Sequence, residues 1–190
     1  MLNARRPLTS GGRHTRTVER EDTMSHPAPP RFHALDRERC IAILARNHVG
    51  RIAYAWKNHV DIEPLHYVYH DGWLYGRTSH GAKLETTGTS WWPVAFEVDE
   101  IEALFRWRSV VVHGGFYTLP EDGLDFQREE WRRGVELLRT LVPDTFTEDD
   151  PVAFRTVVFR MAVQEVTGRE AVPGEAGPST PSDPEEPGNG

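Results

Sequence analysis

Hydrophobic positions at helical spacing predict two helices in the chain. The first covers residues 35–45, where apolar side chains share one face and Asp36 stands at a favourable N-cap position. The second is predicted over residues 126–141, with an apolar face made by Trp131, Val135 and Leu138.

Alternation of apolar and polar positions predicts six strands, over residues 49–56, 60–69, 73–78, 93–98, 109–119 and 154–166. The dipeptide Asp71-Gly72 predicts a tight hairpin between the second and third strands. Pro64 cannot donate to a ladder, so the second strand is predicted to be bulged or to have a free edge there.

Two connections are predicted between these strands: a loop with a short helix over residues 79–88, and an acidic connection or short helix over residues 99–105. Gly114-Gly115 indicates a bend or bulge in the fifth strand. Hairpin-linked strands with helices outside them predict an α+β fold built on a mainly antiparallel β-barrel.

Composition confines the folded domain to residues 31–170. Residues 1–30 have scattered arginines, prolines and glycines, and residues 171–190 hold five prolines and four glycines, so both are predicted to be disordered tails. The arginines near the start indicate a leader or a mis-assigned start codon, since Met24 opens a plausible shorter chain.

Charge and cysteine content narrow the class of protein. The net charge of −7 argues against a nucleic-acid binder, which needs clustered Lys and Arg. No apolar run is long enough to span a membrane. Cys40 is the single cysteine, so no disulfide framework and no cysteine-based zinc site can form within one chain, and the nine histidines show no metal-binding spacing. These features predict a cytoplasmic protein without a metal.

One stretch has the composition of a phosphate-binding loop. A strand ends in Arg77-Thr78, Ser79 and Gly81 follow, and Lys83 stands at the start of the predicted short helix. Arg and Lys supply cations, the hydroxyl groups supply donors, and a helix N-terminus adds backbone N–H groups. The glycine spacing differs from that of a Walker loop, and an ordinary polar loop is the alternative.

Two other stretches could border a ligand. Residues 63–69 include Pro64, whose freed strand edge could present backbone groups to a flat ring. His66 would then lie at the pocket wall; a side chain that faces solvent or is hydrogen-bonded in the core is an equally good interpretation. Trp107 could stack on a ring or pack in a dimer seam. The pair Trp91-Trp92 is predicted to pack in the core or at a subunit contact.

In their order and spacing, seven segments resemble the flavin-binding split-barrel proteins of the pyridoxamine 5′-phosphate oxidase clan. The nitroimidazole-resistance branch is the most similar, and the resemblance covers about residues 34–168. The seven segments are the first helix and the six that follow it, which begin at Val49, Ile62, Leu74, Gly81, Val94 and Trp107. The Arg and His pattern that binds pyridoxal phosphate near the C-terminus of the true oxidases is not recognisable, so vitamin B6 oxidation is not expected.

The resemblance implies a split barrel that binds FMN in a groove between the two subunits of a homodimer. It places the FMN phosphate against Arg77, Thr78, Ser79 and Lys83. It places the isoalloxazine ring against Pro64, Leu65, His66 and Tyr67. It places Trp107 and Ser109 at the flavin edge, of either their own site or the other subunit's site. His66 is the candidate catalytic residue, as a proton donor.

Three hypotheses about function follow. The first is an FMN-dependent oxidoreductase that passes electrons from a reduced nicotinamide to a small acceptor such as a nitroaromatic or a quinone. The second is a flavin- or haem-binding module for storage or sensing, without turnover. The third is a cofactor-free barrel that acts as an interaction protein, since fold alone does not decide function.

Overall fold

The computed structural model describes residues 28–56, 58–81 and 92–174. These residues form eight strands and two helices. The strands are β1 (Arg31–Leu35), β2 (Val49–Trp56), β3 (His59–His70), β4 (Trp73–Thr78), β5 (Trp92–Ala103), β6 (Arg106–Leu119), β7 (Val157–Ala162) and β8 (Glu165–Val172). The helices are α1 (Arg37–Arg46) and α2 (Asp125–Arg139).

Six strands close into a barrel-like ring. The sheet order is β1-β8-β6-β5-β2-β3-β4-β7, and β7 also pairs with β6, which closes the ring. All pairings are antiparallel. The long strand β6 is divided between two partners: its first half pairs with β8 and its second half with β7. The architecture is therefore α+β, as predicted.

Each helix packs against the ring through one apolar face. Helix α1 begins at Asp36, whose side chain accepts a hydrogen bond from the Arg39 N–H at 2.8 Å, and it buries Cys40, Ile43 and Leu44 in the barrel core. Helix α2 buries Val135 and Leu138 against a second cluster that includes Tyr75, Leu119 and Val158. Burial of these apolar stripes is what fixes the helices on the sheet.

Several sequence predictions are confirmed closely. Strand β4 has the predicted bounds, and both helices lie within two residues of theirs. Asp71 and Gly72 adopt positive φ angles of 47° and 80°, the conformation of a two-residue type I′ hairpin turn. At Pro64 the pairing with β2 is continuous, whereas β4 pairs with β3 only from Tyr67 onward, so Pro64 lies on a free edge rather than in a bulge.

The predicted acidic connection over residues 99–105 is wrong for most of its length. Strand β5 continues to Ala103, because the carboxylates that disfavour a strand are neutralised by neighbours. Glu100 accepts two hydrogen bonds from Arg46 at 2.7 Å and one from Asn47, and these bonds lower the pKa of Glu100. Only Leu104 and Phe105 form the turn.

Two further differences concern the ends of the domain. The predicted closing strand is two strands, β7 and β8, because the chain leaves β7 at Val163, whose N–H donates to the Gly72 carbonyl at 2.9 Å. Strand β1 was not predicted; it is an edge strand that pairs with β8 alone. Strand β8 extends through Val172, two residues beyond the predicted domain boundary.

Candidate functional site

A polar cleft of about 240 Å³ lies where β3 has its free edge and β4 ends. It exists because β4 pairs with β3 only from Tyr67 onward, so the edge of β3 at Pro64, which is paired with β2 on its other side, has no neighbouring strand among the described residues. The residues around it include members of both predicted ligand-binding stretches, together with the segment before β7: Pro64, Leu65, Arg77, Thr78, Ser79, Gly81, Phe154 and Arg155.

Arg77 is committed to an ion pair inside the protein. Its guanidinium donates two hydrogen bonds to the carboxylate of Asp150, one of them at 2.9 Å, and the two side chains are only 6% and 1% exposed. The Asp150 carboxylate also accepts the backbone N–H groups of Phe146 and Val152. The bonds from Arg77 hold the pKa of Asp150 well below its usual range. Asp150 was missed by sequence analysis, because it lies 73 residues from Arg77.

Arg155 brings a second guanidinium to the cleft. Its side chain lines the cleft, and within the described part of the chain its guanidinium makes no ion pair. The nearest aromatic ring is that of Phe154, 5.8 Å from the guanidinium carbon. Sequence analysis did not select Arg155, since no motif surrounds it and only the fold brings it opposite β4.

The hydroxyl residues of the predicted phosphate loop do face the cleft. Thr78 is buried and Ser79 is half-buried at the end of β4, and both line the cleft wall. Lys83 lies outside the described residues, so its predicted contact with a phosphate stays a prediction. The structure thus brings Arg77, Thr78 and Ser79 together, with Arg155 added from another segment.

The predicted ring-binding stretch on β3 alternates between two environments. Pro64 is exposed beside the cleft, and His66 is exposed beside a small apolar cavity of about 140 Å³ that adjoins it through Arg77 and Arg155. The side chain of Tyr67 instead lies in the core, where its hydroxyl donates to the Leu44 carbonyl at 2.8 Å. Burial raises the pKa of Tyr67, so its phenol stays protonated and structural.

An acidic side chain stands at the cleft and is held by a tyrosine. The Tyr54 hydroxyl hydrogen-bonds to the carboxylate of Glu63, which lines the cleft. Burial, and then this carboxylate, raise the pKa of Tyr54. The Tyr54 proton therefore remains in place at neutral pH and occupies one Glu63 oxygen.

Trp107 and Ser109 do not reach this cleft within one subunit. They lie in the first half of β6, where Ser109 donates to Glu97 at 2.9 Å and the Trp107 ring is 6.1 Å from that of Phe32. Trp91 and the side chain of Trp92 lie outside the described part of the chain, so their predicted packing stays a prediction. If Trp107 and Ser109 contribute to the cleft, they do so from another copy of the chain.

The outer face of the sheet beside the cleft is apolar, and no segment among the described residues covers it. The register places Ala53 opposite Ile62 and Ala55 opposite Val60 on this face. Val60 is 67% and Ile62 65% exposed, and a shallow furrow of about 410 Å³ runs beside them. Exposed apolar side chains of this kind are a feature that soluble monomers seldom leave in large contiguous patches.

No described helix is long and apolar enough to cross a membrane. No group of three or more His, Cys, Asp or Glu side chains is placed to hold a metal ion in the part of the chain that the structure describes.

Comparison with known proteins assigns the fold to a family. The family model described as pyridoxamine 5′-phosphate oxidase matches residues 36–170. No curated protein matches the chain. Among solved structures, an FAD-binding protein from Mesorhizobium loti is 29% identical, with a TM-score of 0.59 over 74% of this chain and 98% of its own.

Two other solved structures share the fold. An FAD-binding protein from Mycobacterium smegmatis is 23% identical, with a TM-score of 0.51, 73% of this chain covered and 99% of its own. A candidate 5-nitroimidazole antibiotic resistance protein from Bacteroides thetaiotaomicron is 20% identical, with a TM-score of 0.57 over 76% of this chain and 90% of its own. The family match spans well over half of the chain and includes the cleft, and the resemblance noted in the sequence is confirmed: the chain belongs to the pyridoxamine 5′-phosphate oxidase family.

Proposed function

We propose that the protein binds a flavin whose phosphate lies in the cleft between β3 and β4, and that it passes electrons from a reduced nicotinamide to a small acceptor such as a nitroaromatic or a quinone. The observation that carries the proposal is the cleft itself: Arg155 offers a guanidinium without an ion pair among the described residues, opposite the hydroxyl groups of Thr78 and Ser79. Flavin-binding proteins with the same fold support it.

The cleft fits a phosphate for electrostatic and geometric reasons. A guanidinium can donate two parallel hydrogen bonds to phosphate oxygens, and hydroxyl groups donate further ones. The Arg77–Asp150 ion pair lies at the base of the cleft. Because its two charges cancel, the pair holds the cleft wall in place but adds no net positive charge. Lys83 remains a proposed second cation, which would offset the Glu63 carboxylate at the rim.

We infer that the ring of the flavin lies at a homodimer interface. The uncovered apolar face around Ile62 adjoins the cleft through Pro64, which lies on the same side of β3. A second copy seated there would remove Val60 and Ile62 from water and could bring Trp107 and Ser109 of the other subunit to the flavin edge. The proposed partner is therefore a second copy of this chain, within the reducing cytoplasm that the single cysteine suggests.

Bound flavin supplies the hydride and electron transfer, and the chain's residues supply binding, orientation and proton control. Exposed His66 is the proposed proton donor to a reduced acceptor. Leu65 is buried and Pro64 lacks an N–H, so this part of β3 offers an apolar wall with few competing donors.

The test compares FMN with riboflavin, which lacks the phosphate. Arg155→Ala and Lys83→Ala are each expected to weaken FMN binding about ten- to a hundredfold, since a charge-assisted hydrogen bond contributes roughly 1.5–3 kcal/mol. Riboflavin affinity should hardly change. Arg132→Ala, on an exposed position of α2, is the control. Equal losses for both ligands would mean that the cleft is structural only.

Electron transfer needs its own test. Anaerobic addition of reduced nicotinamide should bleach the flavin absorbance, and a nitroaromatic or quinone should restore it. A protein that binds flavin without reacting would match the alternative function, a storage or sensing module.

A further inference from the structure

The small apolar cavity that adjoins the phosphate cleft has no ligand in the proposed function. It measures about 140 Å³ and lies between the last turn of α2 and the segment that precedes β7. Its wall is made mainly of aliphatic side chains that are buried or half-buried: Leu138, Leu141, Val142 and Val152. An apolar cavity of about this volume stays free of water and can take up a single aromatic ring. The cavity is therefore a candidate site for a small ligand.

Four described side chains with polar groups also line the cavity, and two of them are already engaged. The Arg77 guanidinium donates to the Asp150 carboxylate, and the Thr145 hydroxyl donates to a backbone carbonyl at 2.7 Å. The side chains of Arg155 and His66 make no hydrogen bond and no ion pair within the described part of the chain. Arg155 is half-buried and His66 is exposed, so the groups left to meet a ligand are a guanidinium and an imidazole.

We propose that this cavity binds a monocarboxylate with a short apolar body, of about the size of benzoate. The body of the ligand packs between the aliphatic walls, and its carboxylate accepts hydrogen bonds from Arg155, whose planar fork matches two carboxylate oxygens. A dicarboxylate is excluded, because its second charge would lie unpaired against the apolar wall. The three fused rings of an isoalloxazine are too large for the cavity, so this site is separate from that of the flavin ring.

The cavity is coupled to the proposed flavin site, because Arg155 lines both the cavity and the phosphate cleft. A carboxylate held by Arg155 places a second negative charge beside the position proposed for the phosphate, and it occupies donors that the phosphate needs. The ligand therefore opposes FMN binding, and by reciprocity FMN opposes ligand binding by the same factor. This coupling rests on the proposed function, whereas binding of the carboxylate itself does not.

Calorimetric titration of the full chain without added flavin tests the carboxylate site. Benzoate should bind saturably. Benzamide, which has a similar shape but no charge, should bind about ten- to a hundredfold more weakly, because it loses the charge-assisted hydrogen bonds. Val152→Phe, which fills the cavity, should abolish benzoate binding, whereas Leu124→Phe, exposed at the start of α2, should not. Equal affinities for benzoate and benzamide, or no saturable binding of benzoate to the wild type, would overturn the assignment.

A second variant keeps the test decisive if Val152→Phe fails to fold. Arg155→Gln should lower benzoate affinity to that of benzamide and leave benzamide affinity unchanged. Arg132→Gln, at an exposed position of α2, should change neither affinity. Unchanged benzoate affinity in Arg155→Gln would mean that the carboxylate binds elsewhere, which would overturn the assignment.

The coupling is measured as the affinities of FMN and riboflavin at increasing benzoate concentration, by flavin fluorescence. Saturating benzoate should weaken FMN binding about fivefold to a hundredfold and leave riboflavin binding unchanged. Equal effects on the two flavins, or no effect on FMN, would overturn the coupling and leave flavin binding intact. Absence of binding by both flavins, with benzoate bound, would overturn the proposed function and support the carboxylate site.

Discussion

Two arginines at one cleft have different tasks, and their neighbours decide which. Arg77 is buried with a carboxylate that is itself held by two backbone N–H groups, whereas Arg155 has no such partner among the described residues. A buried guanidinium that lost its carboxylate would be an uncompensated charge. Arg77 therefore organises the cleft, and Arg155 is the residue that we propose to bind the flavin phosphate.

Asp150→Asn is expected to destabilise the fold by about 3–5 kcal/mol, because it leaves the Arg77 charge buried without its counter-charge. Urea unfolding followed by tryptophan fluorescence measures the change. Asp149→Asn, at the exposed neighbouring position, is the matched control and should alter stability little. A similar loss in both variants would contradict the role given to the Arg77–Asp150 pair.

The same pair predicts a pH dependence. The pKa of Asp150 is lowered in the folded state, so its contribution to stability is complete above the unfolded pKa, which lies near 3.8. As the pH falls below about 4, the unfolded state binds a proton before the folded state does, and stability declines. Denaturation midpoints measured from pH 6 to pH 2 should fall less steeply in Asp150→Asn than in the wild type.

His66→Ala tests the proposed proton donor. Because His66 is exposed and makes no part of the core, its removal should leave flavin affinity and stability largely unchanged. Reoxidation of the reduced protein by a nitroaromatic should be slower, which stopped-flow absorbance measures. An unchanged reoxidation rate would remove His66 from the mechanism.

At the scale of elements, the sequence predicted those helix ends, turns and apolar faces that depend on residues close together in the chain. The Asp36 cap, the Asp71-Gly72 turn and the apolar stripe of α2 each act over a few residues, and each was predicted from sequence. The extension of β5 was not, since Glu100 is neutralised by Arg46 of α1, which lies 54 residues away in sequence. Likewise, Pro64 predicted the free edge of β3 at the cleft. Asp150, which pairs with Arg77, and Arg155, which lines the cleft, could not be predicted, because only the tertiary fold brings them there.

Near Gly114, strand β6 changes its partner from β8 to β7, and the backbones approach so closely there that no side chain fits. A Cβ there would lie 1.8 Å from the Ala162 carbonyl oxygen, at the end of β7. Gly114→Ala is therefore expected to cost about 1–3 kcal/mol or more, because backbone must move. Gly81→Ala, whose Cβ would meet nothing within 4 Å, is the stability control. Thermal unfolding compares the two.

At the scale of the whole molecule, the apolar outer face predicts a homodimer. Obligate dimers typically bury about 2,000 Å² or more. Ile62→Lys should yield a folded monomer, since Ile62 is exposed in a single chain and would be buried only by the second copy in the dimer. Leu124→Lys, equally exposed at the start of α2, should leave the dimer intact. Light scattering that finds the wild type monomeric at micromolar concentration would contradict the prediction.

The central claim is that the chain binds a flavin, and the absorbance spectrum of the purified full chain tests it most directly. We expect absorbance maxima near those of an oxidised flavin, and we expect denaturation to release a ligand with the mass of a phosphorylated flavin. A Soret band without flavin absorbance would indicate a haem protein instead. A colourless protein that also fails to bind added FMN, FAD or riboflavin would contradict the account.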